Sequence, residues 1–205
     1  MSTKMTPNFY QQLATLSPAQ RKLFEQKLAA KGLQTELPQG IPARQTSENL
    51  PLSFAQQRLW FVQQLDPNNS AYNVASAFRL QGDLQLNVLK QTLSTLIERH
   101  EALRTSFVRT ADHQAIQVIQ SPEPVQLPLI ESLSESELQA WLETWTQEPF
   151  DLSQPLLRLA LVRFAPQDHL LVLATHHIIC DRWSVMVFLR ELTLLYRAFL
   201  TGTTS

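Results

Sequence analysis

The stretch Leu170–Ser184, LLVLATHHIICDRWS, decides the fold. Its apolar run from Leu170 to Ala174 is too short to span a membrane and reads as a fully buried strand that delivers two histidines into a loop. Neighbouring side chains of an extended chain point to opposite faces. If the strand runs on through the pair, His176 and His177 cannot both face one substrate, and one of them is structural. Asp181 lies four residues past His177 in a turn, where a carboxylate can pair with a cation or fix the imidazole, and hold the loop shape. His177 is therefore the expected positioned base and Asp181 the expected brace. A metal site built from His176, His177, Cys180 and Asp181 is the competing reading. It is disfavoured because adjacent histidines on a strand diverge and no second ligand cluster supports them. Cys180 invites a nucleophile reading too, but its neighbour Ile179 and the incoming strand favour a plain buried thiol. The lone histidines His100, His113 and His169 are expected to be packed core residues.

Length and composition narrow the function classes. The chain has 205 residues, 44% of them hydrophobic, and a formal net charge of -1. That is ordinary for a globular protein with a sizeable core. Scattered basic residues remove the electrostatic footprint of a nucleic-acid binder. No apolar run reaches spanning length and the N-terminus, MSTKMTPNFYQQ, lacks the apolar core of a signal peptide, so no membrane partner is expected. The single cysteine excludes an internal disulfide and fits a reducing cytoplasm, the expected location.

Residues 1–45 read as an appendage. Ser17-Pro18 with Gln20 starts a helix carrying Leu23, Phe24 and Leu28, Gly32 stops it, and LPQGIPARQTSENLP has linker composition. This leader either docks a partner or is a solvated extension. The main body follows, spanning 50–200. Ser53 and Gln56 form a capping box for a helix with Leu59, Trp60 and Val62, ended by Asp66-Pro67. Arg58 in that helix is either solvated or lies in a groove beside Trp60. Next come a strand, AYNVASAFRLQG, a Gly82-Asp83 turn, and an amphipathic helix with Leu86, Leu89, Leu93, Leu96 and His100 on one stripe. Arg99 and Arg104 near its C-terminus are accounted for by the helix dipole, and a pairing of this region with Asp181 stays open. Short strands are expected at Thr105–Arg109 and Ala115–Ile119. A helix after Ser134 should bury Leu138, Trp141, Leu142 and Trp145. Strands Leu156–Phe164 and Leu170–Thr175 form a hairpin, and a helix from about Ser184 covers the sheet with Val185, Leu189, Leu192, Tyr196 and Phe199. In the tail, 201–205, order is expected to end.

Three stretches occur together in one order: SFAQQRLWF at Ser53–Phe61, RHEALRTSF at Arg99–Phe107 and HHIICDRWS at His176–Ser184. Together they resemble the first three core motifs of nonribosomal peptide synthetase condensation domains. The resemblance covers about residues 50–200 and implies an α/β, chloramphenicol acetyltransferase-like lobe, half of a two-lobed condensation domain, with a short helical N-terminal leader. It implies amide formation between a donor acyl or peptidyl thioester and an acceptor aminoacyl thioester. Both are carried on the phosphopantetheine arms of carrier proteins, and no cofactor is bound directly. By motif position His177 is the catalytic histidine and His176 its structural partner. Asp181, Arg58 and Arg104 are structural residues at the site, and Arg182, Trp183 and Ser184 modulate the loop.

Two departures from the family pattern stand out. Arg182 occupies a position that is usually glycine, and a left-handed backbone there would cost on the order of 1–2 kcal/mol. The later motifs do not follow within the chain. The expectation is therefore that a C-terminal lobe completes the tunnel and that this chain alone is weakly active or inactive. The other expected partners are the donor and acceptor carrier proteins, and an upstream synthetase subunit meeting residues 1–45. The readings kept beside this one are an epimerisation-domain lobe, weakened by RHEALRTSF; a free-standing acyltransferase using coenzyme A esters, disfavoured by SFAQQRLWF; and a noncatalytic docking or scaffold fragment. Trp183 and the lack of an additional upstream histidine motif favour the type that joins an L-configured donor to an L-configured acceptor.

Overall fold

A computed structural model describes residues 17–30, 44, 46, 48–131 and 134–203. The chain divides into two compact units, Met1–Gln45 and Thr46–Ser205. In the first, helix α1 spans Pro18–Ala30. Ser17 and Gln20 close a capping box at its start: the Gln20 N–H donates to Ser17 Oγ and the Ser17 N–H to Gln20 Oε1. Leu23 is exposed. The expected stop at Gly32 and the linker that follows lie outside the described residues, apart from its last few.

The second unit contains β1 (Leu50–Pro51), α2 (Phe54–Leu65), β2 (Asn73–Gln81), α3 (Leu86–Arg99), β3 (Thr105–Arg109), β4 (Ala115–Ile119), β5 (Leu129–Glu131), α4 (Glu135–Gln147), β6 (Leu157–Ala165), β7 (Asp168–His176) and α5 (Arg182–Thr201). A four-stranded sheet runs β2-β7-β6-β5 and a three-stranded sheet runs β1-β4-β3. Among the described residues only the β5–β6 pairing is parallel.

The side-chain alternation of β7 explains its central place. Leu171 and Leu173 point to a core shared with Leu89, Leu93 and Leu96 of α3 and Phe188, Leu192 and Leu195 of α5. Ala174, on the opposite face, joins Leu52, Leu59, Phe107, Phe150, Leu156 and Ile178 in a second core. With both faces covered, residues 171 to 176 are all buried, as a continuous apolar run requires. Leu93, Leu96 and Leu171 are completely inaccessible, and each such side chain contributes roughly 1.5–3 kcal/mol relative to an exposed one.

The expected hairpin forms, with Leu161 opposite Leu171 and a register shift between Arg163 and Ala165. Both expected short strands appear. Several expectations are corrected. The α4 face bearing Trp141 and Trp145 is only half-buried: the two rings stack on each other at 5.4 Å, and the Arg158 guanidinium covers Trp145. His100 falls one residue beyond α3 and stays half-buried, its Nε2 2.9 Å from Glu191 Oε2. His113 is exposed in a turn at φ 62, and of the three lone histidines only His169 is buried in the core. Helix α5 begins at Arg182 rather than Ser184, because Asp181 is its N-cap. At its other end Gly202 adopts φ 65, the left-handed turn that closes a helix and suits glycine. The last two residues lie outside the described residues. Among the described residues no helix is long and apolar enough to cross a membrane.

Candidate functional site

Strand β7 carries His176 as its last residue, on the same face as Ala174. That places its ring in the second core, fully buried, 6.1 Å from the Tyr72 ring and edge-on to Phe150 at 6.4 Å. Nδ1 accepts the Ile178 N–H at 3.1 Å. A nitrogen that accepts carries no proton, so in neutral His176 the proton sits on Nε2, which is buried without a hydrogen-bond partner among the described residues. Burial first, and the neighbouring His177 second, push its pKa down to about 4.

His177 leaves the sheet. Its N–H donates to Tyr72 O at 2.8 Å, extending the β2–β7 pairing one step past Asn73 opposite His176, and its side chain is exposed. Nδ1 lies 2.9 Å from Cys180 O. A carbonyl can only accept, so Nδ1 carries the proton and Nε2 of the neutral ring holds the free lone pair.

Asp181 does not bond to the imidazole. It caps α5, Oδ1 accepting from Ser184 N at 2.7 Å and Ser184 Oγ at 2.6 Å. Those bonds, the hydroxyl's first, hold its carboxyl below the usual range. These bonds fix where the helix starts. Arg182 is the first residue of that helix, exposed, and absent from the positive-φ residues, which among the described non-glycines are Asn49 and His113. The left-handed strain considered for it does not arise, because the N-cap puts Arg182 at a right-handed helical position. Cys180 is buried, and burial, with the Asp181 charge next, pushes its thiol up to about 11.

Of the remaining expected site residues, Trp183 and Ser184 stand beside the loop, lining a cavity of about 190 Å³ with Thr175, Ile179, Cys180 and Phe188. Trp183 is 78% exposed. Arg104 is engaged elsewhere: its guanidinium donates to Gln120 O at 2.6 Å and Glu98 O at 3.5 Å and lies 3.7 Å from Glu101. This is the dipole-side account of the helix end, not a pairing with Asp181. Arg58 is exposed on α2, and the cation over Trp60 is Arg109 instead. The sequence reading missed Tyr72. The expected strand AYNVASAFRLQG includes Tyr72, but only the register identifies its carbonyl as the partner of the His177 N–H. Among the described residues no three His, Cys, Asp or Glu side chains are grouped to hold a metal ion.

A family model described as Condensation domain matches residues 46–205. The nonribosomal peptide synthetase penN of Penicillium thymicola is 42% identical over 165 residues, which is 79% of this chain and 6% of that protein. Phosphinothricin tripeptide synthetase PhsC of Streptomyces viridochromogenes is 37% identical over 205 residues, 93% of this chain and 18% of that protein. The first condensation domain of the CDA synthetase superposes with a TM-score of 0.71 at 27% identity, over 78% of this chain and 42% of that one. The starter condensation domain of rhizomide synthetase RzmA gives 0.70 at 29% identity, over 76% and 39%. The chain thus spans a small part of these synthetases and about two fifths of these condensation-domain structures.

Proposed function

The chain belongs to the condensation-domain family of nonribosomal peptide synthetases, and we propose that it supplies the lobe bearing the catalytic histidine, His177, of a domain that forms amide bonds. The observation that carries the reading is the Nδ1–H of His177 held on Cys180 O, which leaves a lone pair on Nε2 of an exposed ring at the end of a rigid buried strand.

In this reading the acceptor's α-amine attacks the carbonyl carbon of the donor thioester. A C–N bond forms, the C–S bond breaks, and the sulfur leaves with the donor carrier's phosphopantetheine arm. The nitrogen gives its proton to His177 Nε2, which returns it to the departing thiolate. A free α-amine has a pKa of roughly 7.7–8.0, so much of it is already neutral near pH 7.5, and the thioester is an activated acyl group. The base therefore needs placement more than strength. His176 and Asp181 hold the loop, and the donor and acceptor carrier proteins bring both substrates. A C-terminal lobe forms the facing wall of the tunnel, and residues 1–45 meet an upstream synthetase subunit.

The test is His177→Ala in a complete condensation domain carrying this sequence, with amide formation between two loaded carrier proteins followed by intact mass. General-base catalysis is worth about 100-fold or more, so a fall of that size is expected. An unchanged rate would remove His177 from the role.

A further inference from the structure

Helix α2 shares a core with Ile178 through Leu59 and hydrogen-bonds the histidine turn through Gln56. Gln56 Oε1 accepts the Ser53 N–H at 2.9 Å, closing the capping box, and this fixes which end of the amide is the nitrogen. Nε2 then points away from the cap, 3.4 Å from Ile178 O and 3.4 Å from Gln117 Oε1. Gln117 is oriented in turn by Pro51, its Nε2 donating to Pro51 O at 2.8 Å. Ile178 directly follows His177, and its peptide groups are held from both sides. The N–H goes to His176 Nδ1 and the C=O faces Gln56 Nε2. His177's own N–H is on Tyr72 O.

These contacts divide the work in the turn. His176 ends β7 and Tyr72 directly precedes β2, so their holds come with the sheet's end. Of these hydrogen bonds, the one from Gln56 comes from a different element, 122 residues away in sequence. We infer that Gln56 is a positioning residue for His177: its amide clamps the Ile178 carbonyl and thereby sets the turn in which His177 Nδ1–H meets Cys180 O. The inference deepens the proposed role of His177 and rests on it for any effect on rate, but the clamp has a readout of its own. Small displacements at a reacting group cost rate steeply, so the clamp acts on turnover and not on carrier binding.

Gln56→Glu separates the two jobs of this side chain. Glutamate closes a Ser-x-x-Glu capping box as well as glutamine does, so α2 keeps its cap, but the carboxylate cannot donate to Ile178 O. Gln56→Leu removes the same donor without adding charge. In ¹⁵N spectra of the full chain, both variants are expected to shift the His177 ring nitrogens, with Nδ1 losing its pure protonated character, while His169 stays unchanged. In a complete condensation domain kcat is expected to fall about tenfold with KM for either carrier unchanged. The unsubstituted chain adds a check independent of folding of the variants: nuclear Overhauser contacts between the Gln56 amide protons and the Ile178 or Ile179 backbone. Absence of those contacts, or folded variants whose His177 nitrogens match the unsubstituted chain, overturns the clamp. If the nitrogens shift but His177→Ala keeps its rate, the clamp stands and the catalytic reading falls.

Discussion

His176 and His177 are adjacent and held in opposite tautomers: His176 Nδ1 accepts the Ile178 N–H, whereas His177 Nδ1 donates to Cys180 O. One backbone step across the end of β7 separates a buried ring from an exposed one. Within the pair, the neutral inner ring serves as a hydrogen-bond acceptor that shapes the turn, and the outer ring keeps Nε2 open.

The inner ring makes stability depend on mild acid. Unfolded, His176 takes a proton near pH 6.5; folded, it stays neutral until about pH 4. Between these values the unfolded chain binds more protons, so stability rises with pH across the window and is lost as pH falls through it. The full shift corresponds to about 3 kcal/mol. His176→Asn offers an acceptor oxygen near the place of Nδ1 and does not titrate. Urea unfolding from pH 7 to pH 4 should show a markedly flatter dependence for this variant, and a dependence as steep as that of the unsubstituted chain would refute the assignment.

Cys180 should be chemically silent. Its thiol is buried and raised to about 11, with burial the main cause, so at pH 8 the thiolate fraction is far below that of a free cysteine. Alkylation by iodoacetamide in the folded chain is expected to run about two orders of magnitude slower than for a free thiol and to recover on denaturation. Cys180→Ala should leave the condensation rate of the complete domain unchanged. Rapid native alkylation would restore the nucleophile reading.

What the sequence made legible was local or periodic. The Ser53 cap spans four residues, the β6–β7 hairpin needs adjacent strands, and the core of α3 follows from its leucine spacing. What it hid depends on distant partners. The parallel pairing of β5 with β6 joins Leu129 to Leu161, and the two-residue strand β1 contains a proline and exists only because β4 lies beside it. Within the site, the strand-end pair His176 and His177 was readable from alternation. Their tautomers were not, because these are set by Ile178 N–H and Cys180 O, backbone groups of a turn whose shape the residue types do not specify. Asp181 shows the same limit: its four-residue distance from His177 pointed to the imidazole, but its bonds go forward to Ser184.

The capping role of Asp181 separates cleanly by substitution. Asn retains an oxygen that accepts from Ser184 N, whereas Ala does not, and Asn and Asp are comparable N-caps. Asp181→Ala should lower the melting temperature more than Asp181→Asn at pH 7. The carboxyl's folded pKa is lowered by the Ser184 hydroxyl bond first and the Ser184 backbone bond second. Its charge-dependent contribution is therefore present above the unfolded pKa and lost as pH falls through the folded one. The gap between Asn and unsubstituted chains should close in that acidic range. Equal melting temperatures for Ala and unsubstituted chains at pH 7 would show that the cap is not what holds the loop.

Arg182 stands where the family pattern has glycine, and the geometry predicts what restoring glycine does. The residue opens α5 in right-handed conformation with an exposed side chain, so no strain is waiting to be relieved. Arg182→Gly instead frees the unfolded backbone, which destabilises a helical position by roughly 0.5–1 kcal/mol. The expected outcome is a slightly lower urea midpoint with an unchanged condensation rate in the complete domain. A rate gain of about tenfold, equivalent to about 1.4 kcal/mol of barrier, would mean that the loop is strained during turnover and that arginine holds it away from its productive shape.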